Sequence, residues 1–191
     1  MTLLVAGMLL WMGVHLYPVF MADSRNQLVG RIGEMPYKGI FALAILASVA
    51  LIILGWRSAT PEIIYNPPAA LRHPAMLLVT IAFIFFVLSS FRKSRLNKFI
   101  RHPQLTGVKT WAVAHLLANG DSKSLILFGG MLVWAVLSVI FINRRDGARE
   151  KPTEFMPAWM EVLIPVIAVV ITGLIVKYHY YIAGVPLIAS S

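Results

Sequence analysis

The sequence predicts an all-α polytopic membrane protein, a helical bundle of about six transmembrane helices with both termini outside the cytoplasm. Three observations predict it. First, 59% of the 191 residues are hydrophobic and only 13% are charged, so lipid rather than water is the main solvent. Second, the apolar residues come in blocks, each close to the roughly 20 residues a helix needs to cross about 30 Å of hydrocarbon. Backbone groups in lipid must be satisfied within their own segment, and no block alternates as a membrane barrel strand does, so the blocks are helices. Third, Lys and Arg are unevenly shared between alternate loops. With six crossings, twelve fall on one face: Arg25, Arg31, Lys38, Arg92, Lys93, Arg95, Lys98, Arg101, Arg144, Arg145, Arg149 and Lys151. Four fall on the other: Arg57, Arg72, Lys123 and Lys177. Positive charge collects on the cytoplasmic side, and five crossings would erase the bias.

The first block, Thr2 to Met21, lacks a basic leader and a clear small-residue cleavage site, so it reads as a retained helix. The next two run from Tyr37 to Gly55 and from Pro74 to Phe91. The third follows Arg72-His73-Pro74, and the fourth, Pro103 to Asn119, follows the similar Arg101-His102-Pro103. Proline suits a first helical turn, where its missing N–H would have no partner, so interfacial helix starts account for both triplets. Asn119-Gly120-Asp121 reads as a tight turn, in which Asp121 can steady Lys123 or Arg72. The fifth block runs from Ser124 to Ile142 and the sixth from Trp159 to Val176, with Glu161 at the favourable end of its dipole. Tyr178, Tyr180 and Tyr181 form an interfacial belt around His179, and the nine methionines read as packing.

The loops, longest over 56–73 and 143–158, are too short for a soluble catalytic domain, so chemistry must come from helix faces and loop ends. The absence of cysteine excludes disulfides, thiolate metal sites and cysteine nucleophiles. The net charge of +9 sits in short loops at membrane ends, where topology and anionic lipid account for it without nucleic acid.

The most informative stretch runs from Arg101 to Asp121. It places a cation and two histidines, with Gln104 and Trp111, in an otherwise apolar segment, and polar groups kept in lipid usually have a function. Two rows spaced by four share a composition: Gly7, Trp11, His15 in the first helix, and Gly107, Trp111, His115, Asn119 in the fourth. Each puts a small residue, an indole and an imidazole on one helix face. Imidazoles facing the bundle interior either hydrogen-bond a neighbouring helix or ligate iron, and two from facing helices can hold a haem. At 1.5 Å per residue, His15 and His115 lie about 9 Å and about 18 Å from the cytoplasmic ends of their helices, so meeting would need helix tilt.

These residues, with Gly13 to Pro18, Pro36 to Gly39, Asn66-Pro67-Pro68 and Leu125 to Gly130, resemble the NnrU family of bacterial membrane proteins along nearly the whole chain. The resemblance implies a single NnrU-like transmembrane domain over residues 1–191, in the bacterial inner membrane with periplasmic termini, associated with denitrification. It implies nitrite, nitric oxide or the enzymes that reduce them as partners. The pattern of Arg101, His102, Pro103, Gln104, Gly107, Trp111, Ala114, His115, Leu117 and Gly120 is also similar to the haem-dependent zeta-carotene isomerase of plastids. That similarity implies b-type haem held by His15 and His115, with Arg101, His102, Gln104, Trp111 and Asn119 as further cofactor-binding residues. Ala112 stands where the isomerase has a cysteine, which removes a cysteine-based ligand switch and argues against carotenoid chemistry.

Two other classes compete. Arg101-His102-Pro103 followed by Gly107 resembles the motif of membrane methyltransferases that bind S-adenosylmethionine, although Leu105 replaces an aromatic and Glu150 and Glu154 do not form the paired-glutamate motif. Lys109, inside the fourth block, would suit a transporter for a passing anion or an assembly factor for denitrification enzymes; its alternative is snorkelling to the interface.

Overall fold

A computed structural model describes residues 1–185, and they are helical almost throughout, with no extended strand among them. Seven helices of ten residues or more follow one another: α1 (Thr2–Phe20), α2 (Ala22–Ile32), α3 (Glu34–Ser58), α4 (Arg72–Ser90), α5 (Pro103–Ala118), α6 (Ser122–Asp146) and α7 (Ala158–Ala183). Five of them, α1, α3, α4, α6 and α7, are long and apolar enough to cross a membrane. The chain is therefore an all-α membrane protein. With 16 residues, α5 is the shortest of the apolar helices, about 24 Å at 1.5 Å per residue.

Helix α2 was not legible in the hydrophobic pattern, because its polar residues exclude it from lipid. Asp23 in its first turn and Arg31 in its last complement the helix dipole. Gly33, at φ 88°, ends it in a conformation that a side chain would strain, and α3 starts at the next residue.

The described residues fall into two compact units, each made of two stretches of sequence: residues 1–67 with 119–147, and residues 68–118 with 148–185. In the first unit α1 packs on both α3 and α6. Small residues set the first contact. A Cβ on Gly7 would lie 2.7 Å from the Ile52 amide nitrogen, and one on Gly55 would lie 2.6 Å from the Leu4 Cα, so the backbones touch and the two helices run antiparallel. Against α6 the pairs are Met8 with Gly130, Trp11 with Trp134 and Phe20 with Phe141, an order that makes α1 and α6 parallel. Helix α6 carries a π-helical stretch at Leu125–Gly129 just before this contact.

At one end of this unit the α3–α4 connection pairs with the start of α6. The amides of Ile64 and Tyr65 both donate to the Gly120 carbonyl, at 2.8 and 3.0 Å, and the Ser122 amide donates to Glu62 at 2.8 Å. A Cβ on Gly120 would collide with the Tyr65 carbonyl. Asp121 accepts from the Ser124 amide at 3.0 Å and from its hydroxyl at 2.6 Å, so it caps α6 instead of serving the basic partners its charge suggested.

In the second unit α4 packs on both α5 and α7. Gly107 of α5 sits against Ala82 and Phe86 of α4, while Val87 and Leu88 of α4 share a core with Ile164, Ala168 and Met156. The two loops at one end are clasped by Glu161. Its carboxylate accepts from the hydroxyl of fully buried Ser94 at 2.6 Å and from the Arg95 amide at 2.8 Å, and it pairs with the Arg95 guanidinium at 3.6 Å. Lys93, donating to Glu154 at 2.7 Å, holds that exposed carboxyl below the usual glutamate range. Glu161 thus does more than complement a dipole. Glu161→Ala would leave the buried Ser94 hydroxyl and the Arg95 amide short of an acceptor. The expected loss is about 2 kcal/mol, measured by thermal unfolding in detergent, with Glu161→Gln retaining part of it.

Candidate functional site

His15 sits one turn beyond Trp11 on α1. Its Nδ1 lies 2.9 Å from the Trp11 carbonyl oxygen. A carbonyl only accepts, so Nδ1 carries the proton, and in the neutral ring Nε2 keeps its lone pair. The imidazole lies on the Trp11 indole, centroids 4.1 Å apart, and meets Trp134 of α6 at 5.2 Å and Phe41 of α3 at 5.9 Å, both edge-on. Trp11 and Trp134 touch at 5.5 Å. Tyr37 stacks beyond Phe41 at 6.2 Å, with the Arg25 guanidinium 5.3 Å from its ring. Three helices thus supply one aromatic enclosure for one imidazole. Such fixing of ring orientation through Nδ1–H is the usual outer-shell support of a ligating histidine.

The second unit repeats the local arrangement on α5. His115 Nδ1 lies 2.9 Å from the Trp111 carbonyl oxygen, and the two rings are 4.8 Å apart. Each imidazole is four residues beyond its tryptophan and eight beyond a glycine at a helix contact. The spacing places each imidazole one turn beyond the tryptophan carbonyl, and the ring is turned back so that Nδ1 shares that carbonyl with the helix's own amide.

Of the other predicted cofactor-binding residues, Arg101, His102 and Gln104 lie further away along the chain, and Asn119 lies four residues beyond His115. Arg101 and His102 precede α5, where the His102 carbonyl accepts from the Thr106 amide at 2.9 Å and so opens the helix. Gln104 is exposed in the first turn. At 1.5 Å per residue these three stand about 16–21 Å along the chain from His115, whereas Trp111 lies against the imidazole. The Asn119 carbonyl accepts from the Tyr65 hydroxyl at 2.9 Å, within the loop pairing of the first unit. His73 is exposed, and His179 donates through Nδ1 to the Val185 carbonyl at 2.7 Å. Among the described residues no three His, Cys, Asp or Glu side chains gather into a metal centre.

Trp134, Phe41 and Tyr37 escaped the sequence reading. One signal was available. Gly130-x-x-x-Trp134 repeats the spacing of Gly7 with Trp11 and of Gly107 with Trp111, a small residue at a helix contact followed one turn later by an indole.

No curated protein and no solved structure matches the chain. A family model, that of the NnrU protein, matches residues 3–187. Membership supports a denitrification-associated membrane protein. With almost its full length under that match, and with apolar helices throughout, the chain belongs to the NnrU family.

Proposed function

We propose that the protein binds b-type haem through His15, His115 or both, and acts with it in nitrogen-oxide metabolism at the bacterial inner membrane. The observation that carries this reading is the twofold Gly-x-x-x-Trp-x-x-x-His arrangement. In each copy the Nδ1–H is tied to the tryptophan carbonyl at 2.9 Å, which presents Nε2 as the ligating atom. When bound, haem would supply one-electron chemistry at its iron. The chain's own part is to orient the imidazoles, to cover one face of each with an indole and, around His15, to exclude water with Phe41 and Trp134. The visible spectrum of purified protein, oxidised and reduced, beside the two alanine variants tests it. A colourless wild type from haem-replete cells would overturn it.

Six crossings with periplasmic termini complete the reading, and the course of the chain supports them. Residues 62–65 and 120–122 pair at one end of the first unit, so the chain leaves that end after α3 and returns to it before α6. Helix α4 is long and apolar enough to cross, and a return then requires a second crossing, for which α5 is the helix available among the described residues. The parallel course of α1 and α6 follows from the same parity. Because the chain has no cysteine, single cysteines report sidedness without background. In intact spheroplasts an impermeant maleimide is expected to label Lys123→Cys and to leave Arg145→Cys unlabelled until lysis. Labelling of Arg145→Cys before lysis would exclude the sixth crossing.

A further inference from the structure

We propose that the aromatic enclosure around His15 is a binding site for a small oxyanion, of the size of formate, nitrite or nitrate. Within the first unit three polar groups are shut away from solvent with no hydrogen-bond partner: the indole N–H of Trp11, the indole N–H of Trp134 and the hydroxyl of Tyr37. Trp134 is 9% exposed and Tyr37 8%. Trp11 and Trp134 touch each other and His15, and Tyr37 joins the same set of rings through Phe41. A buried donor left unpaired costs about 1–3 kcal/mol in proteins, and more where lipid replaces water outside. Three in one cluster call for an occupant.

The chemistry of the three groups defines that occupant. Two are donors only, and the third donates readily, so the donors outnumber the one acceptor in the same enclosure, the Nε2 lone pair of His15. A ligand rich in acceptors and poor in donors matches them, which is the description of an oxyanion. The Arg25 guanidinium over the Tyr37 ring adds a positive potential beside that hydroxyl's ring. The rings already touch, at centroid distances of 4.1–6.2 Å, so only a ligand of a few atoms enters where they part. The proposal goes beyond haem binding and does not depend on it, since these donors lack an acceptor whether or not the imidazole holds iron.

Nuclear magnetic resonance of the full chain in detergent, 15N-labelled at the indole nitrogens, tests it. Five tryptophan cross-peaks are expected, assigned by single Trp→Phe variants. Sodium formate, nitrite and nitrate are titrated in turn against sodium chloride at constant ionic strength. The Trp11 and Trp134 peaks should move downfield and saturate with an oxyanion, while Trp159, 66% exposed, stays in place. Tyr37→Phe should weaken binding about tenfold, the value of one hydrogen bond to a charged group. Peaks that do not move, as with ordered water as the occupant, or that move equally with chloride, would overturn the proposal on the wild type alone. The Soret band of the same sample reads haem separately: saturable shifts in a haem-free protein uphold the oxyanion site while haem binding fails, and a haem-loaded protein without shifts does the reverse.

Discussion

The double variant His15→Ala, His115→Ala is expected to purify without a Soret band, and at least one of the two single variants is expected to lose the haem its histidine holds. Weakening only the outer-shell support of a metal ligand costs about 10–100-fold in affinity, so removal of the ligating atom lies above that range. The two sites differ in what remains. At His15 a truncated side chain leaves a space walled by Trp11, Phe41 and Trp134, and free imidazole supplied in the buffer should re-enter it and restore the band. Restoration separates loss of a ligand from loss of fold, because added imidazole cannot refold a collapsed bundle. Full haem content in both single variants would overturn the assignment.

Gly55→Val is expected to remove most of the folded protein. Even the Cβ of alanine would lie 2.6 Å from the Leu4 Cα, a distance that no side-chain rotation relieves because the obstacle is backbone. Helices α1 and α3 would have to separate along the contact that Gly7 also serves, at a cost of about 3 kcal/mol or more. Loss of the monodisperse peak in detergent size-exclusion chromatography, with a lowered midpoint of thermal unfolding, measures it. Gly173→Ala is the control: its Cβ meets nothing within 4 Å, and a better helix former there should leave the midpoint unchanged or raise it. Equal stability of Gly55→Val and Gly173→Ala would show that α1 and α3 do not pack as described.

Which features were legible in the sequence follows from the range of the forces involved. The requirement that backbone be satisfied inside lipid acts over a single segment, so the apolar blocks at Thr2 to Met21 or Ser124 to Ile142 announce their helices directly. Helix α2 carries no such signal, since it is polar, and was missed. The Gly, Trp and His rows are also local and follow from helical periodicity, whereas the bond from each imidazole to the carbonyl four residues back, rather than to a neighbouring helix, depends on the rotamer its surroundings select. By contrast, Arg101, His102 and Gln104 shared a motif with His115 in sequence, yet the rise of the helix separates them from it.

By itself the sequence determined an all-α membrane protein, the five helices long and apolar enough to span, and two rows that set an indole and an imidazole on one helix face, because each depends on composition or on a spacing within one helix. Only the tertiary structure decided what surrounds His15, how Glu161 clasps Ser94 and Arg95, and that Asp121 caps α6, because each brings together residues distant along the chain or selects one partner among several in reach. The three donors left without acceptors around His15 belong to this second kind: nothing in the order of Trp11, Tyr37 and Trp134 along the chain says that their N–H and O–H groups will be buried together with no partner.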